Sequence, residues 1–208
     1  EMTGSTLNMH YTIADPKTFG ISEYEPVLPI YHSGQPEDSK EHCSDLLHRL
    51  DRIDPDRLSP ENAYTYRLLH RSLENDLALA DFPYYNEPLS PSSGMQSQLP
   101  VLLAEYTFRT KRDVTDYLAL LDQIDDYFAS LLLYEQEKAA AGFFMPACSS
   151  EKVRKQCDTI VTTEELAQGT HFLQTTFEDR LSELQKQGLF TPEETASLIE
   201  TNDRLLAT

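Results

Sequence analysis

Six histidines, three cysteines and an excess of carboxylates are the residues of this chain that could do chemistry. A helical zinc site usually places two histidines four residues apart, with a glutamate beside the first as the base. No two histidines here have that spacing, since they are His10, His32, His42, His48, His70 and His171. Glu41, His42 and Cys43 are adjacent, but neighbours on a helix point in different directions. The sequence therefore predicts no metal ligand in this chain.

The cysteines Cys43, Cys148 and Cys157 contain no Cys-x-x-Cys pair, which argues against a zinc knuckle and against a disulfide framework. We expect buried free thiols, with a Cys148–Cys157 disulfide as the alternative. Cys148 precedes a predicted helix, where a thiolate is stabilised, so a cysteine hydrolase is a third hypothesis. A cysteine nucleophile needs a histidine beside it, and the sequence identifies none. No catalytic residue is therefore predicted.

The carboxylates are abundant, but their spacing matches no known type of site. Asp51, Asp54 and Asp56 lack the turn glycine and the terminal glutamate of a calcium loop. Asp122 and Asp125 lie opposite the apolar stripe of a predicted helix, where solvated charge is expected.

The segment Ser93-Gly94-Met95-Gln96-Ser97-Gln98 is the remaining candidate for function. One interpretation is a turn whose side chains bond the backbone and lead into a helix. The other is one wall of a substrate cleft, in which amide groups bind a peptide backbone. The candidate cleft residues are Ser93, Gly94, Gln96 and Gln98.

Composition limits the partners and the fold class. The formal net charge is −18, and such a surface repels phosphate backbones, which argues against nucleic-acid binding. No apolar run approaches the roughly 20 residues that cross a bilayer, so no transmembrane segment is expected. Few glycines and many Leu, Glu, Asp and Gln residues favour helices over sheet.

Periodicity and capping signals predict an all-α fold, an irregular bundle of about six to seven helices. Residues 1–37 form an extended, Pro-rich and turn-rich segment, and residues 38–208 form the helical domain, with a long ordered loop over 84–100. We expect one helix of about 28 residues between Thr110 and Gly142. Another is expected to run from Thr163 past Gly169 to Gly188. The last helix is still in progress at the final residue, so the domain is expected to be truncated there.

The order and spacing of a set of motifs from Thr6 onward resembles the bacterial family called domain of unknown function 885 (DUF885). The motifs are densest between Ser93 and Val153, and they are Ser93-Gly94, Gln98-Leu99-Pro100, Phe108, Thr110, Asp113, Tyr117-Leu118, Gly142 and Met145-Pro146. The resemblance implies that this chain is the N-terminal part of an all-helical, zinc-peptidase-like protein. Such proteins carry a His-Glu zinc helix in their C-terminal half. No His-Glu dipeptide occurs here, so none of the family's ligands can be assigned to this chain.

The resemblance therefore implies a helical scaffold and part of a substrate cleft of a zinc-dependent peptidase or other hydrolase. Zinc is expected in the missing C-terminal half, which would also be the partner of this chain, and a peptide is the implied substrate. An extracytoplasmic or lipid-anchored location is implied as well. The alternative is a non-enzymatic helical module for binding or interaction.

Overall fold

The structure of the protein, a computed structural model, describes residues 4–31 and 35–207, with side chains from residue 38 onward in the second range. The α-helices are α1 (Thr6–Thr12), α2 (Gln35–Leu50), α3 (Pro60–Leu79), α4 (Met95–Ala104), α5 (Lys111–Leu121), α6 (Ile124–Ala140), α7 (Ala147–Ile160), α8 (Thr163–Gln168), α9 (Phe172–Lys186) and α10 (Pro192–Leu206). No strand occurs within the described ranges, so the predicted all-α class is confirmed. The helices are more numerous than the six to seven predicted. None of those described combines the length and apolar character needed to cross a membrane.

The predicted helix of about 28 residues is two helices, α5 and α6, and the prediction was wrong at Gln123. Its side-chain Nε2 donates to Ala119 O at 2.8 Å and to Pro26 O at 2.9 Å, while its Oε1 accepts from Leu28 N at 3.0 Å. The side chain thus bonds an extended stretch of the N-terminal segment at the turn between the two helices. Helical periodicity continues across this turn, so the sequence pattern conceals it.

The predicted helix across Gly169 is also divided, into α8 and α9. Gly169 has a left-handed backbone with φ of +68°, and its N–H bonds Leu166 O, which ends α8. This is the usual conformation of a C-terminal glycine cap. His171 then starts α9, because its side chain accepts from the Leu173 N–H at 3.3 Å.

The chain forms two compact units. The first contains Glu1–Ile30, Pro88–Leu132 and Phe144–Thr208, and the second contains Tyr31–Glu87 and Leu133–Phe143. The core of the first unit is an aromatic cluster of Tyr106, Phe108, Tyr117 and Phe177. The Arg180 guanidinium lies 4.4 Å from the centre of the Phe108 ring, a cation–π arrangement.

Arg180 also ties two segments of the first unit together. Its Nη1 donates to Leu103 O at 3.0 Å, in the last turn of α4, and to Tyr106 O, just after that helix. Its Nε donates to Thr176 O at 2.8 Å within α9. Carbonyl oxygens and ring faces stabilise this partly buried cation.

The second unit is built on α2 and α3, which pack through Cys43, Leu50 and Leu73. An ion pair completes it, in which the buried Lys138 Nζ lies 2.6 Å from Oε2 of the partly exposed Glu87. The nearby Tyr134 hydroxyl donates to Pro83 O at 2.7 Å. Burial raises the pKa of Tyr134 to about 12, so the phenol keeps its proton and remains a donor.

Candidate functional site

Gly94 forms the N-cap of α4, and its surroundings leave no room for a side chain. A Cβ built at this position would overlap Gln96 Oε1 and the backbone nitrogen of Ser90, and would lie 2.5 Å from Ser90 O. The φ of Gly94 is −73°, an angle that any residue adopts. Glycine is therefore required here because a Cβ would overlap its neighbours, and not because of the backbone conformation.

Gln96 explains the crowding around Gly94. Its side chain is only 3% exposed, and its Nε2 donates to Ser90 O at 2.7 Å and to Gln156 Oε1 at 2.9 Å. Gln156 Nε2 in turn donates to Pro91 O at 2.9 Å. The two amides thus connect the loop before α4 to α7. Gln96 Oε1 has no hydrogen-bond partner within the described part of the chain.

Ser93 and Gln98 differ from Gly94 and Gln96 because both are exposed. Ser93 N donates to Ser90 Oγ at 3.2 Å, so a serine pair stabilises the turn. The backbone N–H of Gln98 bonds Gly94 O at 3.0 Å within the first turn of α4. Of the four predicted cleft residues, two are therefore buried supports and two present polar groups to solvent.

A cavity of about 320 Å³ lies beside Gln96 in the first unit. Its walls are mainly aliphatic and aromatic, with Asp122, Asp125 and Cys157 added from α5's C-cap, α6 and α7. Sequence reasoning missed these three residues as members of one site. It treated the aspartates as part of a continuous helix surface, whereas in the structure they flank the turn at Gln123 and line the cavity.

The cysteines are all free, but two of them are exposed, which contradicts the predicted burial of Cys148 and Cys157. Only Cys43 is buried. Cys157 lies on the more solvent-exposed face of α7, while Val153 of the same helix faces the core. Partial burial raises the pKa of the Cys157 thiol, and the Asp158 carboxylate adds to this, so a reactive thiolate is disfavoured there.

The described histidines do not fit a zinc site. His10 Nε2 accepts the Thr107 N–H at 3.2 Å, and its ring stacks on Tyr106 at 3.6 Å between centres. His171 caps α9, and its Nε2 lies 2.8 Å from Ile160 O. Among the side chains of residues 4–31 and 38–207, no three of His, Cys, Asp or Glu come together as ligands. His32 lies outside the described residues.

Comparison with known proteins gives a family match and a match to a solved structure. A family model described as "Bacterial protein of unknown function (DUF885)" matches residues 17–206. The crystal structure described as that of "the putative lipoprotein from Colwellia psychrerythraea" has 15% sequence identity and a TM-score of 0.72. That match covers 100% of this chain and 36% of the other, so this chain spans about a third of the solved protein's length.

No curated protein shows a significant match to this sequence. At 15% identity, the likeness to the solved structure establishes a shared fold and no more. The family model, in contrast, extends over nearly the whole sequence, from residue 17 to residue 206. The chain therefore belongs to the DUF885 family of bacterial proteins.

Proposed function

We propose that this chain is a helical scaffold and one wall of the substrate cleft in a larger hydrolase of the DUF885 family. The observation that supports this most is the extent of the structural match, which takes in all of this chain but only 36% of the solved neighbour. Such coverage is expected if this chain corresponds to one section of a larger protein. The chain's own contacts, such as those of Gln96 and Arg180, fit a support role.

The zinc-dependent chemistry is proposed for the remainder of such a protein. Of the described histidines, His10 and His171 are engaged in stacking, a helix cap and backbone bonds, and no group of three His, Cys, Asp or Glu side chains is found in the described part of this chain. Zinc bound elsewhere would activate water for hydrolysis of an amide. A peptide is the substrate that we propose.

Within the proposed cleft, the four candidate residues have different roles. Ser93 and Gln98 are exposed and could bond a peptide backbone directly. Gly94 and Gln96 would act indirectly, because they fix the loop that presents the exposed pair.

The experiment compares this chain with the longest natural form of the protein. Bound zinc is measured by mass spectrometry, and turnover is measured on a mixture of short peptides before and after chelation. We expect stoichiometric zinc and chelator-sensitive turnover in a longer form, and neither in this chain. Turnover by this chain after chelation, or a longer form that hydrolyses peptides without metal, would contradict the proposal.

A second candidate function is a non-enzymatic binding module, which the cavity beside Gln96 favours. An extracytoplasmic or lipid-anchored location is also proposed, supported by the word lipoprotein in the description of the solved neighbour. Metabolic labelling of the natural protein with a radioactive fatty acid tests the anchor. Absence of label in the membrane fraction would contradict it.

A further inference from the structure

Two concavities adjoin each other in the first unit. The smaller is the cavity of about 320 Å³ beside Gln96, and the larger has a volume of about 690 Å³. Val161 and Leu206 line both concavities, so the two are adjacent, and we call the pair the trough. A binding pocket for an organic group typically has a volume of about 300–1,000 Å³, and both concavities fall in that range.

The two halves of the trough differ in chemistry. The smaller cavity is walled by apolar side chains that include Leu99, Ile124, Phe128 and Leu173. The larger one adds polar groups from Thr163, Gln168 and Asp203. An apolar pocket that continues into a polar groove suits an extended peptide, which places one side chain in the pocket and leaves its backbone against polar groups.

The charges at the trough all have one sign. Asp122 and Asp125 line the smaller cavity and Asp203 lines the larger, whereas none of the described lining residues is Lys, Arg or His. Asp203 accepts from Gln174 Nε2 at 3.0 Å. Asp122 and Asp125 are exposed, and neither has an ion-pair partner in the described part of the chain. An occupant that covers these carboxylates must bring positive charge to compensate their lost hydration.

We propose that this trough binds an extended peptide in which an apolar side chain enters the smaller cavity and a neighbouring lysine or arginine pairs with Asp122 and Asp125. The proposal goes beyond the scaffold function and does not depend on zinc, so its test uses this chain alone. Failure of the zinc experiment and failure of the peptide experiment are therefore distinguishable.

The first test measures fluorescence anisotropy of a labelled short peptide with a leucine or phenylalanine between lysines. We expect saturable binding that weakens on the order of tenfold in the Asp122→Asn, Asp125→Asn double variant, because two favourable charge pairs are lost. Asp126→Asn is the control, since Asp126 is exposed on the same helix as Asp125 but does not line the cavity. It should bind like the wild type, and circular dichroism should show unchanged helix content in all variants.

The second test uses the two exposed cysteines as internal probes. Cys157 lines the smaller cavity, whereas Cys148 lines neither concavity. Bound peptide should slow alkylation of Cys157 several-fold and leave the rate at Cys148 unchanged, as judged by mass spectrometry of tryptic fragments.

Three results would overturn the proposal. The first is equal binding of a peptide in which glutamate replaces lysine, and the second is equal affinity of the double variant and Asp126→Asn. The third is a longer form of the protein in which Cys157 resists alkylation without any peptide, because its own polypeptide would then fill the trough.

Discussion

The side-chain amides of Gln96 and Gln156 bond each other directly, with Gln96 Nε2 2.9 Å from Gln156 Oε1. The residues are 60 positions apart, and each also bonds a carbonyl of the loop that precedes α4, Ser90 O or Pro91 O. One pair of amides thus fixes the loop that carries Ser93 and Gly94. The position of the candidate cleft wall therefore depends on the hydrogen bonds of this pair.

A double-mutant cycle should reveal the coupling of these two residues. We expect Gln96→Ala and Gln156→Ala each to lower the free energy of unfolding by about 1–2 kcal/mol, with a coupling energy of about 0.5–1.5 kcal/mol. Urea denaturation measures all four proteins. Gln98→Ala is the control, because Gln98 is exposed and should change stability by less than about 0.5 kcal/mol. Additive effects would show that the amide pair contributes nothing of its own.

Gly94→Ala should be destabilising by about 1–3 kcal/mol, because the new methyl group meets the Ser90 backbone, which cannot move without breaking the turn. Gly4→Ala is the matched control, since a Cβ there has nothing within 4 Å. The midpoints of thermal unfolding report the difference. Equal midpoints for the two variants would mean that the loop adapts to the added atom.

Arg180→Met should lower the free energy of unfolding by about 2–4 kcal/mol, because the carbonyls of Leu103 and Tyr106 lose their donor while remaining buried. Arg154→Met is the control, because Arg154 pairs with Asp158 on the surface at 3.5 Å, and such pairs contribute little. Denaturant titration measures both variants. A loss at Arg180 no greater than at Arg154 would contradict the support role of Arg180.

His10 should make stability depend on pH. Burial lowers its pKa from 6.5 to about 4, with Arg109 and Arg180 acting in the same direction and Asp113 opposing them. The unfolded chain therefore binds a proton more readily than the folded one, so this contribution is present above pH 6.5 and is lost as pH falls towards 4. The loss should be at most about 3 kcal/mol.

Denaturation of wild type and His10→Gln at several pH values isolates this effect. The variant should lose the part of the slope between pH 6.5 and 4 that His10 contributes, although its stability at neutral pH will also fall because the Thr107 N–H loses its acceptor. Parallel curves for the two proteins would show that His10 titrates normally.

Local signals in the sequence mark several of the helix starts. Thr110 and Thr191 both form capping boxes, with Asp113 and Glu194 respectively, as their positions at the start of apolar periodicity indicate. Ser59 with Pro60 starts α3 for the same kind of reason. These motifs are readable because cap and partner are only three residues apart.

Hydrogen bonds between residues far apart in the chain could not be predicted from the sequence. The break at Gln123 depends on Pro26 and Leu28, which are 97 and 95 residues away, so no local pattern announces it. Asp122 and Asp125, which flank this break, line the cavity. Likewise, the partnership of Gln96 with Gln156 could not be distinguished from a substrate-binding role by residue type alone.

Gln123 has a consequence for how the N-terminal segment can vary. Its amide offers the stretch around Val27 one donor and one acceptor, as the edge of a neighbouring β-strand would. In the N-terminal segment only main-chain atoms take part, since the Pro26 carbonyl accepts one bond and the Leu28 N–H donates the other. These two bonds therefore do not depend on the side chains of that segment. Homologous chains could therefore exchange the residue at position 27 freely and still keep this attachment, provided that the glutamine is retained.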